Sequence, residues 1–415
     1  MRFEGLALLI IESEAMIGFM KRVYLDNAAT TPVDKEVLKI VFETFKKYPG
    51  NPSALHREGV EARKVLESAR RKIAEIFFAH PDEIIFTSTA TESNNLAIMG
   101  VVEEARKNGV VKPHIIVSSI EHPAVLEVAK YLKGQGVSVD YLSVDGSGVI
   151  DVKELRGLIK PETVLISVMY ANNEIGVIEP VREIAKEVRH ARKIFNSVYP
   201  YFHTDAAQAV NYLNINVAQL GVDLMTVSSG KVYGPRGVAL LYVRRGVQMS
   251  SLMYGGSHEM RRRPGTEPVS LVVGFARALE IVEKIKEKEL VRLEKLRNTL
   301  ADLLIKKITG SEINGNLAQT LPNILSISVD GCEGEALVIY LDAKGISVSG
   351  RSACTSSENG PSHVILALGK AQKEEKGVIR FSLGRDTKRD DIKKVVEELP
   401  RIVEFLKSYS VTNTK

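Results

Sequence analysis

Between about residue 60 and residue 245, short β-branched or apolar runs alternate with longer stretches whose apolar residues recur at helical spacing. The short runs predict strands at Glu83–Thr87, His114–Ser118, Val164–Met169, Tyr201–Thr204, Leu224–Val227 and Val238–Val243. Strands that alternate with helices predict a mostly parallel sheet covered by helices, because parallel neighbours need a crossover long enough to hold a helix. From about 271 to 308, Leu279, Val282, Ile285, Leu290, Leu293, Leu296, Leu300 and Leu303 interleave with Glu and Lys, which predicts one long amphipathic helix. Beyond it, Asn323–Val329 and Val378–Ser382 read as strands, with helices at 333–344 and 388–408. The expected fold class is α/β, a large domain with a mostly parallel sheet flanked by helices plus a smaller α+β domain. Residues 35–275 are expected to form the large domain, and 21–34 with 276–415 the small one. Residues 1–20 read as an N-terminal extension outside the fold.

Composition acts mainly by exclusion. A chain of 415 residues, 44% hydrophobic and 26% charged, has the balance of a folded protein with more than one packed unit. Its 56 Lys and Arg against 51 Asp and Glu leave +5, far short of the clustered basic face that a nucleic-acid partner needs. The apolar run Leu6–Ile11 is ended by Glu12 and Glu14, so it predicts neither a membrane span nor a secretory signal, and a cytoplasmic protein is expected. No GxGxxG follows a strand, and GxxxxGK[ST], HExxH and GxSxG do not occur. Two cysteines, Cys332 and Cys354, are too few for a metal cluster or a disulfide framework, which leaves at least one free for chemistry.

Three polar segments sit where strands end. Thr87–Asn95 places hydroxyl residues between a strand and a helix, and Thr89 with Glu92 fits a capping box whose exposed amides could hold a phosphate. Asp205 closes a strand at the carboxyl edge of the sheet, where it could be a helix cap or the counter-ion of a protonated ring nitrogen. Lys231 stands alone in the Gly-rich turn Ser228–Gly237. An ordinary lysine amine is neutral in only about one copy in 2,500 at pH 7, so Schiff-base chemistry there needs a pocket that lowers its pKa. Each segment alone has a plain structural reading. In this order along an α/β unit they supply what pyridoxal 5'-phosphate (PLP) needs: a phosphate cradle, a counter-ion and a lysine. His122, just after a strand, could stack on a planar ring, and Asn172 could offer its amide to a ring hydroxyl. Cys354 opens a run of turn formers beside Arg351, whose charge would favour the thiolate. Cys332 lies among acidic residues that disfavour it. Arg380, within a strand pattern, could clamp a substrate carboxylate.

The assembled residues resemble the cysteine desulfurases of PLP fold type I, the NifS/IscS kind, from about residue 22 to 410. The matching motifs are Tyr24–Pro32, Asn51–Ser53, Thr91–Asn95, Glu121–His122, Asn172–Gly176, Asp205–Gln208, Lys231–Pro235, Arg263–Thr266, Ser352–Ser356 and Ile379–Arg385. The resemblance implies that Lys231 holds PLP covalently and removes the substrate α-proton, while Asp205 pairs with the ring nitrogen. It gives Gln208 and Asn172 to the ring oxygen, His122 to stacking and proton transfer, and Ala90, Thr91 and Ser228 to the phosphate. Thr266 would reach that phosphate from the other subunit of a homodimer. Arg380 would bind the carboxylate of L-cysteine, and Cys354 would take the sulfur as a persulfide and leave alanine. The 26-residue gap from Cys354 to Arg380 resembles the long-loop group, which passes sulfur to iron–sulfur scaffold proteins or tRNA-thiolating enzymes. Two positions depart from the pattern: Gly230 stands where His usually precedes the lysine, and Arg351 where a small residue is usual. Weaker PLP retention is the expected consequence. Cleavage of selenocysteine or cysteine sulfinate, or a binding role in a sulfur-carrier complex, are the alternatives at this stage.

Overall fold

The structure, a computed structural model, describes residues 22–350, 362–369 and 376–413. The extension expected at 1–20 lies outside the described residues, as do Arg351 and Cys354. The strands, in chain order, are β1 (Val23–Tyr24), β2 (Ile84–Thr87), β3 (His114–Ser118), β4 (Ser138–Leu142), β5 (Thr163–Ser167), β6 (Tyr201–Asp205), β7 (Leu224–Ser228), β8 (Ala239–Val243), β9 (Ser311–Ile313), β10 (Ile324–Asp330), β11 (Ile346–Ser347) and β12 (Lys376–Ser382).

Strands β2 to β8 form one seven-stranded sheet in the order β2-β8-β7-β6-β5-β3-β4. The pairings from β4 through β7 are parallel, and only β8 runs antiparallel to its neighbours β2 and β7. This is the mostly parallel sheet of the sequence reading. Strands β3, β5, β6 and β8 are buried along their whole length; β3, β5 and β8 accordingly have apolar or β-branched centres, while β6 carries the buried His203 and Asp205. Alternate side chains enter two cores: Ile116, Ile166 and Leu240 join one, while Ile115, Leu165 and Leu241 join the other. Each such buried aliphatic side chain contributes about 1.5–3 kcal/mol relative to an exposed one.

The sequence reading missed β4. It is the edge strand, with Ser138 and Tyr141 exposed and Val139 and Leu142 buried, so half of its pattern is polar. The long helix spans Val269–Lys307. It buries Val272, Phe275 and Leu279 near its start and Leu296, Leu300 and Leu304 near its end, and its second half packs on the helix Arg389–Asn413. Strand β10 pairs antiparallel with β9 and β12, and β1 pairs parallel with β11. The chain start is thereby stitched to its far end: Val23 N donates to Gly345 O (2.8 Å) and Ser382 N to Leu25 O (2.7 Å).

Candidate active site

The carboxyl ends of the sheet's parallel strands open on one side, and a cavity of about 230 Å³ lies there. Asp205, the last residue of β6, is buried in its wall. One carboxylate oxygen accepts from Asn94 Nδ2 (2.7 Å) and the other from Ala207 N (2.9 Å). These bonds hold the carboxylate plane and leave acceptor capacity toward the cavity. Lys231 follows β7 in a short 3₁₀ turn, and its Nζ donates to Ala28 O (2.7 Å) and Ala29 O. Gln208 Nε2 donates to Ala28 O as well (2.9 Å). The segment after β1 is thus a rail along one side of the cavity.

Ala90 and Thr91 are the first two residues of the helix Ala90–Lys107, so their amides have no intrahelical acceptor. Thr89 caps this helix through its hydroxyl, which accepts from Glu92 N (3.1 Å). The expected capping box is only half made, because the Glu92 carboxylate reaches past the cap to Ser88 N (2.8 Å) and pairs with Arg263 Nε (2.7 Å). Ser228 lines the same cavity. Two free amides, two hydroxyls and a helix N-terminus make an anion cradle.

His122 is the N-cap of the helix Pro123–Gly134, and its Nδ1 accepts from Ala124 N (3.1 Å). That bond places the proton of the neutral ring on Nε2. Burial lowers the His122 pKa; the Asp205 and Glu174 carboxylates oppose this, and the Lys231 and His363 charges add to it. The preceding Glu121 is fully buried, accepts from Met169 N (2.5 Å), and is pushed well above the usual carboxylate range by that burial. Arg380, in β12, faces the cavity with Nη2 on Asp26 Oδ1 (2.7 Å) and Nη1 on Asn173 O (2.8 Å). Its Nε is buried without a hydrogen-bond partner among the described residues.

Ten of the residues singled out in the sequence lie among the described residues, and they fall into two groups. Ala90, Thr91, His122, Asp205, Gln208, Ser228, Lys231 and Arg380 line one cavity. Asn172 does not. It is fully buried, its amide donates to Ile120 O (2.9 Å), and its oxygen accepts from Glu174 N (2.8 Å) and Ile175 N (2.9 Å). Its neighbour Asn173 is the asparagine that faces the cavity. Thr266 is not among the residues lining its own chain's cavity. A larger cavity, about 540 Å³, surrounds the buried Arg70–Glu259 ion pair and contains none of these groups.

Comparison with known proteins gives this geometry a family. The aminotransferase class-V model matches residues 23–395. The chain is 43% identical to the cysteine desulfurase IscS of Dictyoglomus turgidum over 94% of its length and 97% of the relative. It is 41% identical to the IscS of Methanosarcina thermophila, covering 97% of each. A solved NifS-like protein superposes with a TM-score of 0.85 at 37% identity, covering 93% of this chain and all of that one. The chain belongs to the cysteine desulfurases of the aminotransferase class-V family. This cysteine desulfurase is a PLP-dependent enzyme, and the residues present fit the cofactor: the anion cradle suits a phosphate, and the buried Asp205 carboxylate suits a ring N–H. Asp26, Asn94, Asn173 and Glu174 were not singled out in the sequence, because their meaning lies in partners more than a hundred residues away or in a turn that one amide of a pair must occupy. In the desulfurase, as described, no helix is long and apolar enough to cross a membrane.

Proposed function

We propose that the enzyme converts L-cysteine to L-alanine and passes the sulfur, as a persulfide on Cys354, to acceptors for iron–sulfur cluster assembly or tRNA thiolation. The observation that carries this reading is the convergence of Lys231, Asp205, His122 and Arg380 on one cavity from four separate elements. Bound PLP supplies an electron-accepting ring that stabilises negative charge at the substrate α-carbon. Asp205 holds the ring nitrogen protonated, and Ala90, Thr91 and Ser228 hold the phosphate. Gln208 and Asn173 stand at the ring-oxygen side in place of Asn172. Lys231 takes the α-proton, and His122 Nε2 moves a proton within the cavity. Arg380 binds the substrate carboxylate, using the donor capacity that Asp26 and Asn173 leave on its guanidinium.

The Cys354 thiolate then attacks the sulfur of the substrate. An S–S bond forms and the Cβ–S bond breaks, the electron pair stays with Cβ, and protonation at Cβ together with return of a proton to the α-carbon gives alanine. No outside oxidant is needed, because the carbon is reduced as the enzyme thiol is oxidised to the persulfide. Chain geometry supports the assignment: Ser349 exchanges backbone bonds with Arg380 (2.7 and 3.3 Å), and Cys354 follows only five residues later. Extended chain limits the separation to about 17 Å.

A homodimer belongs to the same proposal, with Thr266 reaching the phosphate held by a second copy. Leu55 and Tyr254 are 91% and 98% exposed, and Phe42 and Phe45 are open to solvent, which supplies apolar side chains for a contact with a second copy. The division into a large domain at 35–275 and a small one from 21–34 and 276–415, and a cytoplasmic location, are also part of it. A side chain at Gly230 would meet only Arg236 Cγ, at 3.6 Å. Neither space nor backbone conformation therefore requires a glycine here, and weaker PLP retention for want of a side chain at this position is part of the proposal. Purified protein supplied with PLP, L-cysteine and a reductant should release alanine and sulfide in equal amounts. Absence of a bound-PLP absorption band in that preparation overturns the reading.

A further inference from the structure

Ser362 and His363 follow Cys354 by eight and nine residues in the chain, and both are tied to the cavity wall. Ser362 Oγ donates to Glu174 Oε2 (2.5 Å), and both residues are buried. His363 Nε2 lies 2.9 Å from Glu121 O, and a carbonyl acceptor requires that this nitrogen carry the proton. The short helix His363–Ala367 then seats Val364 and Ile365 in a small apolar cluster with Ile120, Met169 and Ile175. Each anchor point neighbours a cavity residue: Glu121 precedes His122, and Glu174 follows Asn173, whose carbonyl accepts from Arg380. Glu174 itself is pinned by its amide to Asn172 Oδ1 (2.8 Å). A buried carboxylate in such a place is costly unless it holds a partner.

We propose that Glu174 and Ser362 are a positioning pair for the sulfur-accepting step. Their bond fixes the chain eight residues beyond the thiol against the cavity wall, so it governs delivery of the thiol and not binding of substrate or cofactor. The inference rests on the persulfide role of Cys354.

The test compares Ser362→Ala, Glu174→Leu, the double variant and Cys354→Ser in the PLP-loaded enzyme, with selenocysteine as a second substrate whose cleavage can proceed without the thiol. Ser362→Ala is expected to lower kcat with cysteine about tenfold, leaving KM, the PLP absorption spectrum and selenocysteine cleavage within twofold of wild type. The double variant should be no more than twofold worse than Glu174→Leu alone, because one shared contact is lost only once. Wild-type kcat in Ser362→Ala, equal losses on both substrates, or multiplicative losses in the double variant overturn the pairing. If Cys354→Ser keeps its cysteine activity, the persulfide reading itself fails, a result distinct from all three.

Discussion

Asp205 and Arg380 face the same cavity from opposite supports. Asp205 ends a strand in the middle of a seven-stranded sheet, with β5 and β7 on either side and its oxygens held by Asn94 and Ala207. Arg380 lies on a three-stranded sheet formed late in the chain, and is held by Asp26, 354 residues away, and by the backbone of Asn173. The proposed cofactor side is built into the core of one sheet. The proposed substrate side is assembled where distant parts of the chain meet. A change on the first side should remove the cofactor or its electronic partner, and a change on the second should leave the cofactor in place and alter how substrate and sulfur are handled.

The largest expected effects separate the two sides directly. Lys231→Ala should abolish both cysteine cleavage and the bound-PLP absorption band, whereas Cys354→Ser should cut sulfide release about 1,000-fold or more with the band intact. Spectra recorded beside the sulfide assay decide between these patterns, and loss of the band in Cys354→Ser would break the division. Asp205→Asn keeps the shape and removes the charge, so kcat should fall about 100- to 1,000-fold with weaker PLP retention on dialysis. Arg380→Lys should raise KM for cysteine about 10- to 100-fold through loss of the planar fork, with PLP retention unchanged.

The two asparagines give a finer contrast. Asn172→Leu removes buried hydrogen bonds at Ile120, Glu174 and Ile175, and should cost about 2–3 kcal/mol of stability in denaturant titrations. Asn173→Leu should leave stability nearly unchanged and alter the PLP spectrum instead.

The smallest effect concerns the sheet beneath the cofactor side. His203 is fully buried between Ser167 Oγ (2.8 Å) and Thr226 Oγ1 (3.1 Å), and burial pulls its pKa from 6.5 to about 4. The folded value is depressed, so this ring's stability is fully present above pH 6.5. It is lost as pH falls toward 4, because the unfolded chain takes up the proton first. The change amounts to about 3 kcal/mol over that window. His203→Gln should flatten the stability profile there, and an unchanged acid limb would argue against a neutral buried ring.

The same division explains what could be read from the sequence. Buried parallel strands announce themselves as continuous apolar runs, and a polar residue placed where such a run ends is a local signal. Asp205, Lys231, Ser228 and the start of the helix at Ala90 were visible for that reason. Strand β4 was not, since its exposed edge breaks the run. Asp26 looks like any aspartate after a short strand until Arg380 lies beside it. Within Asn172 and Asn173 the motif is obvious but the division of labour is not: one amide must close the turn onto Glu174 and Ile175, and only the backbone path decides which. Glu174 was invisible because its partner, Ser362, is 188 residues away.

The central claim, that sulfur passes from cysteine to Cys354, is tested most directly by mass spectrometry of the PLP-loaded enzyme after brief incubation with L-cysteine and no reductant. The account predicts one added sulfur atom on the peptide containing Cys354 and none on the peptide containing Cys332, whose thiol is buried and held above its usual pKa by that burial. Added sulfur on Cys332 alone, or alanine formed with no sulfur on either peptide, would contradict it.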